Sequence, residues 1–272
     1  MTLRSAISTP DGKRRYARRL FATIADSYDF ITRFLSYGQD RRWKQRLIQL
    51  ARLQPSDRVL DLACGTGDIV FAAAPQVSRA VGLDVTHRML QLARLRQGYG
   101  GQAGGASPRE AASDAQFVTG DMLALPFPDR SFTVVTIGYG LRNVPDLHQS
   151  LREIRRVVVP GGRVLSLDFN RPSNPIVRGA YLLYLTIVGS ALGYVLHRDP
   201  DTYRYIPESI RNYPGATGVA RMMEELGFVD VSVVRVLAGF MAIHVARNGN
   251  QAAVIGDGPP AATGPATAPV PA

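Results

Sequence analysis

The sequence predicts an α/β fold in which helices flank a doubly wound, mostly parallel sheet that ends in an antiparallel hairpin. Three observations predict it. From Arg58 onward, short β-branched or leucine-rich runs alternate with helical stretches; a glycine turn follows the first run; and only Leu237-Ala-Gly239 separates the last two. Strands alternating with helices imply right-handed crossovers and hence parallel neighbours. A three-residue gap cannot hold a crossover helix, so the final pair is antiparallel.

At 272 residues with 46% hydrophobic content, the chain has room for one α/β domain with a sizeable core. The spacing divides it into a helical lid over residues 1–54, a catalytic domain over 55–247 and a Gly/Pro/Ala tail over 248–272. In the lid, Leu20, Ile24, Phe30, Ile31, Phe34, Leu35, Trp43, Leu47 and Leu50 recur at three- and four-residue intervals, the pattern of two or three amphipathic helices. Strands are expected at Arg58–Ala63, Arg79–Asp84, Gln116–Thr119, Phe132–Tyr139, Arg163–Phe169, Val229–Val236 and Phe240–Ala246. Residues 97–115, rich in Gly and Ala, read as a flexible insertion, and 171–212 as a helical lid over the substrate.

Charge is uneven along the chain. The net +10 comes mostly from residues 1–53, where 12 Lys/Arg face 4 Asp/Glu. Such a patch suits a solvated helix face, anionic lipid or nucleic acid equally well. The lone Cys64 excludes an internal disulfide framework, and no signal peptide is legible, so the cytoplasm is expected.

The first strand runs into Asp61-Leu-Ala63-Cys-Gly65-Thr66-Gly67-Asp68. Glycines belong in such a turn because a ligand must reach backbone amides with no Cβ in the way. Asp84 closes the second strand, placed to accept from both hydroxyls of a ribose. After the third strand, Asp121 can accept from an adenine amino group while Met122 packs on the ring. Taken singly, Asp84 and Asp121 read equally well as turn or helix-capping residues. Together with the closing hairpin, the three strand-end signals point to S-adenosylmethionine rather than a dinucleotide, with Asp61, Ala63, Gly65, Thr66, Gly67, Asp84, Asp121, Met122 and Gly138 around it. No metal is expected.

The fourth strand ends in Gly138-Tyr139-Gly140-Leu-Arg142-Asn143-Val144, at the edge where an acceptor should lie. The Asp/Asn-Pro-Pro-aromatic turn of amino-methylating nucleic-acid enzymes is absent. The sole cysteine sits in the cofactor turn, so no thiolate is available for cytosine chemistry. No nucleic-acid partner is expected.

On Ile24-Ala-Asp-Ser-Tyr28-Asp29, Asp61–Asp68, Gly140-Leu-Arg-Asn-Val144, Arg156 to Gly162 and Tyr205-Ile-Pro-Glu-Ser209-Ile, the chain resembles the ubiquinone/menaquinone biosynthesis C-methyltransferase family. The resemblance runs from about Tyr16 to Arg247. It departs at Thr32, Asp40, Gly138, Val159 and Asp168, where the family more often has Asn, His, Ser, Lys and Glu. The resemblance implies a Rossmann-like class I methyltransferase that transfers a methyl group to a ring carbon of a polyprenylated quinol, demethylmenaquinol ahead of a ubiquinone-pathway benzoquinol. A ring carbon is a poor nucleophile until a neighbouring hydroxyl loses its proton. Arg142 is too basic to take that proton, which leaves it electrostatic stabilisation and water positioning, with Asn143 orienting and Tyr28 touching the ring. A structural salt bridge and turn is the competing reading of Arg142 and Asn143. A nucleic-acid methyltransferase and a cofactor-binding protein without turnover are the alternatives from other classes.

Ala180 to Leu196 is a run of 17 residues without a charge, short of the roughly 20 that span a bilayer. It reads as an apolar lid for an isoprenoid tail, with the basic N-terminal helices, including Arg14, Arg15, Arg18 and Arg19, resting on the anionic inner face of the membrane. A core or homodimer helix is the competing reading.

Overall fold

The computed structural model describes Leu3 and residues 7–99 and 115–249. Most of the expected 97–115 insertion, and the 248–272 tail beyond Gly249, lie outside the described residues.

Three helices come first: α1 (Pro10–Ile24), α2 (Tyr28–Leu35) and α3 (Asp40–Ala51). Local chemistry starts α1: the Thr9 hydroxyl accepts from the Gly12 N–H at 3.1 Å, and Pro10 occupies a position whose N–H has no helical partner. The helix buries Ala17, Leu20 and Ile24, one stripe at helical spacing.

The core is a seven-stranded sheet of β1 (Arg58–Leu62), β2 (Arg79–Asp84), β3 (Ala115–Thr119), β4 (Phe132–Gly138), β5 (Val158–Phe169), β6 (Phe228–Val236) and β7 (Met241–Asn248) in the order β3-β2-β1-β4-β5-β7-β6. β1 to β5 are mutually parallel, and β7 runs antiparallel to both of its neighbours. The expected hairpin is thus present, folded back so that its second strand lies inside and β6 forms the edge.

Helices cover both faces. On one side α3 packs with α4 (Asp68–Ala73), Leu47, Ala51, Ile69 and Ala73 meeting Val59, Val134, Leu165 and Ile243, and α5 (His87–Tyr99) adds Leu90 and Ala93. On the other, α6 (Leu147–Val157) and α9 (Gly215–Glu225) bring Leu151, Ile154, Val219 and Met223 against Leu60, Val135 and Ile137. Neighbours on one strand, such as Val134 and Val135, enter opposite cores, as the pleat requires. Between β5 and α9 lie α7 (Pro175–His197) and α8 (Tyr205–Arg211), within the expected 171–212 lid.

One strand differs from expectation. β5 begins at Val158, five residues before Arg163, because Pro160-Gly-Gly162 is absorbed as an irregularity in the ladder: Phe132 pairs Val158 while Val134 pairs Arg163. Pro-Gly reads as a turn in sequence, and a bulge uses the same residues. Asn248, at the end of β7, braces this segment, its amide donating to the carbonyls of Val158 at 2.7 Å and Arg155 at 3.1 Å. Asn248→Ala leaves those buried carbonyls without their partner and should cost about 1–3 kcal/mol. An unchanged urea midpoint would show that the brace contributes nothing.

Candidate active site

The strand order reverses between β1 and β4, which opens a crevice at the carboxyl ends of the strands. A cavity there is lined by Ala63 and Gly65 after β1, Asp84 and Thr86 at the end of β2, Asp121 and Met122 after β3, and Gly138 and Asn143 after β4. A narrow cleft beside it is bordered by Asp61, Thr66, Asp68 and Lys44. Of the nine residues expected around a cofactor, eight border these two spaces. Gly67 does not. It shapes the turn from behind, at φ +90°, where a Cβ would lie 2.8 Å from the Phe71 ring. Gly138 leaves room of another kind, since a Cβ there would meet Ile69 at 2.8 Å.

Asp84 is buried and already holds the turn: one oxygen accepts from the Gly65 N–H at 2.9 Å and the other from the Thr86 N–H at 2.7 Å. Burial pushes its pKa up and these bonds oppose the rise. A carboxylate oxygen accepts more than one bond, so capacity for a diol remains. Asp121 accepts from the Leu123 N–H at 2.9 Å and pairs with Arg14 of α1 at 2.9 Å. Arg14 and Arg18, expected on a membrane-facing side of the lid, both line this cavity. Their four-residue spacing on one side of α1 was the available signal.

The narrow cleft is held by charge. Lys44 bridges Asp40 at 2.7 Å and Asp68 at 2.8 Å; Arg96 reaches Asp68 at 2.8 Å; the Thr66 hydroxyl donates to Asp29 at 2.7 Å. Burial opposes the charge on Lys44, but Asp68 and Asp40 prevail and raise its pKa. Lid helices α2 and α3 are thereby tied to the glycine turn. Asp61 lies opposite Thr136 in the β1–β4 register and accepts from its hydroxyl at 2.7 Å.

A second, apolar cavity adjoins the first, with Phe21, Tyr28 and Tyr139 bordering both. Leu20, Ile31, Phe169, Leu185 and Tyr205 line it, and Arg142 brings a cation to it. Arg142 and Asn143 stand on a short 3₁₀ turn, Leu141–Asn143. The turn is held by Tyr139, whose φ of +60° leaves its carbonyl accepting from Arg142 Nη1 at 3.1 Å and Asn143 Nδ2 at 2.8 Å. Arg142 also pairs with Asp168 at 3.0 Å and sits 4.6 Å from the centre of the Phe169 ring. The structural salt bridge weighed as an alternative is therefore real, yet Arg142 Nε and Asn143 Oδ1 remain buried without partners. Tyr28 stands between the two spaces, its phenol pKa raised by burial.

The first cavity fits an adenosine-bearing sulfonium. It offers a Cβ-free turn, the Asp84 and Asp121 carboxylates and, among the described residues, a buried oxygen without a partner, Asn143 Oδ1. A sheet of this order with such a site defines a class I S-adenosylmethionine-dependent methyltransferase. Residues 10–248 match the model of the ubiE/COQ5 methyltransferase family, and the chain belongs to that family. It is 36% identical to the ubiquinone/menaquinone biosynthesis C-methyltransferase of Hahella chejuensis, over 85% of this chain and 91% of that protein. It is also 36% identical to the demethylmenaquinone methyltransferase of Roseiflexus castenholzii, over 88% and 96%. A solved S-adenosylmethionine-dependent methyltransferase from Thermotoga maritima superposes with a TM-score of 0.58 at 17% identity, over 85% of this chain and 99% of the other, a likeness of fold alone.

Burial pushes the Asp61 carboxyl up to about 8, the Thr136 bond and the charge of Lys44 opposing it. Unfolded, the same group ionises near the ordinary carboxylate value of about 4, so the folded chain keeps a proton that the unfolded chain has released. The stability this contributes is full below that value and is lost as pH rises towards the folded one. Asp61→Asn keeps the acceptor for Thr136 and cannot ionise, so its margin in Tm over the parent should widen from pH 5 to pH 8. Parallel Tm curves across that window would contradict a proton-retaining Asp61.

Proposed function

We propose that the enzyme methylates a ring carbon of a polyprenylated quinol, with demethylmenaquinol as its substrate and a ubiquinone-pathway benzoquinol as the alternative. The observation that carries this reading is the apolar, aromatic-lined cavity joined to the cofactor cavity through Tyr28 and Tyr139. The names of the relatives support it, since one is a ubiquinone/menaquinone biosynthesis C-methyltransferase and the other a demethylmenaquinone methyltransferase. The naphthoquinol choice rests on Gly138-Tyr139-Gly140 and Leu167-Asp168-Phe169-Asn170, which resemble that branch.

S-adenosylmethionine supplies an electrophilic methyl group. In this reading Asp84 accepts from its ribose, Asp121 from its adenine in place of Arg14, and Met122 covers the ring. The acceptor ring lies against Tyr28, so that its carbon faces the first cavity. Arg142 remains charged, because Asp168 outweighs the burial that opposes its charge. A guanidinium so held cannot serve as a base, and it lowers the cost of negative charge on the ring oxygen beside the reacting carbon. Asn143, fixed through Tyr139, orients from the other side.

Purified protein given labelled S-adenosylmethionine should transfer the label to demethylmenaquinol and leave RNA unlabelled. Label in RNA, or none in either quinol, overturns the reading.

The isoprenoid tail leaves along α7, a 23-residue helix apolar and long enough by composition to cross a bilayer, with 28% of its most apolar window buried. Leu183, Ile187, Tyr194 and Val195 of α7 are exposed, as are Phe30 and Phe34 of α2 and Tyr37 in the turn after it, and Tyr37 touches Tyr184 hydroxyl to hydroxyl. This surface, with basic residues of the lid near it, rests on the inner face of the membrane in the cytoplasm. Phe34→Ser combined with Leu183→Ser and Ile187→Ser should reduce co-sedimentation with anionic vesicles several-fold. Retained binding would argue against this face.

A further inference from the structure

The second cavity has many polar side chains on its walls, and most of them are already spoken for within the protein. Tyr139 donates to Asp40 at 2.6 Å; Ser36 donates to the Arg33 carbonyl at 3.1 Å; Thr202 pairs with Asp199 at 3.1 Å; Tyr203 pairs with His197 at 2.8 Å. Tyr37 and Tyr184 satisfy each other. Among the described residues, two buried groups on the same walls have no partner: Arg142 Nε and the Tyr205 hydroxyl. A buried hydroxyl or guanidinium N–H left unpaired is costly, and it persists where a ligand completes it.

Tyr205 opens α8, and its side chain is 1% exposed. The ring is fixed from the lid side by Tyr16 of α1, centroids 5.4 Å apart, and is packed with Leu20, Ile24 and Ile31. Its neighbourhood is electrostatically joined to Arg142, whose charge acts on the phenol. Burial raises the phenol pKa, so the group is a donor at neutral pH and not a base.

We propose that the Tyr205 hydroxyl and Arg142 Nε–H together donate to one oxygen on the acceptor ring, making Tyr205 a substrate-contacting residue that selects a ring bearing an ionisable hydroxyl. This rests on the aromatic-acceptor reading above and adds to it the group that recognises the oxygen. Two donors favour the ionised oxygen over the neutral hydroxyl, because each stabilises accumulated negative charge. The proton itself leaves to solvent or buffer, and no bond to Tyr205 forms or breaks.

The test uses 1-naphthol, a fused ring with one ionisable hydroxyl, bound to the full-length enzyme loaded with S-adenosylhomocysteine. Its absorbance change on ionisation should have a lower pH midpoint when bound than when free. Tyr205→Phe should move the bound midpoint up by at least half a unit and lower kcat/KM for the quinol about 10- to 100-fold, while affinity for S-adenosylhomocysteine stays the same. Tyr213→Phe removes another buried unpartnered hydroxyl, one that does not line the cavity, and should leave the midpoint unmoved. Should Tyr205→Phe fail to fold, 3,5-difluorotyrosine at position 205 keeps the shape, strengthens the donor and should lower the midpoint. Equal midpoints for parent and variant, or no binding of 1-naphthol by the parent, overturn the proposal. A shifted midpoint without quinol methylation instead overturns the choice of quinol and keeps the donor pair.

Discussion

Arg142 and Asp168 bring opposite charges to 3.0 Å where the two side chains are only 6% and 1% exposed, and the arrangement of the cleft depends on that pair. Burying two charges is unfavourable unless hydrogen bonds complete the environment. Here they do: Asp168 accepts the Arg142 side chain, the Arg142 backbone N–H at 3.1 Å and the Phe169 N–H at 2.8 Å. The pair ties the turn after β4 to the end of β5, and so fixes the distance between the crevice of the sheet and the apolar cavity above it. Asp168 holds the guanidinium where it lies 4.6 Å from the centre of the Phe169 ring.

The same pair explains why Tyr139 adopts a left-handed backbone conformation that a bulky residue seldom takes. Its carbonyl must face the guanidinium and the Asn143 amide at once, while its phenol reaches Asp40 in α3. One residue thereby joins sheet, turn and lid. The strain is local and is held by these three hydrogen bonds and a fourth, from the Tyr139 N–H to the Leu167 carbonyl at 2.7 Å, which is how such conformations persist near functional clefts.

Much of this was legible in the chain. The strand ends were, because a parallel sheet buried on both faces is written as short apolar runs, and the residues at those ends, Asp84, Asp121, Gly65 and Thr66, border the cleft. The start of β5 was not, since a bulge and a turn use the same Pro-Gly-Gly. The Arg14–Asp121 pair was not legible for a different reason: a basic residue on an amphipathic helix looks the same whether it faces lipid or a carboxylate 107 positions away. The Arg142–Asp168 pairing, the Asp40–Lys44–Asp68 chain and the orphaned Tyr205 hydroxyl are products of tertiary contact, for which local periodicity carries no signal.

The packing of α1 against the second half of the chain bears on the order in which the molecule assembles. Leu20 and Ile24 share one apolar cluster with Tyr203 and Tyr205, about 180 residues downstream. Contacts so distant in sequence close late, because the loop entropy must be overcome before they form. The cluster around Leu20 and Ile24 is therefore complete only once α8 exists. The roof over the second cavity thus joins the two halves of the chain, and α1 cannot be fully seated without α8.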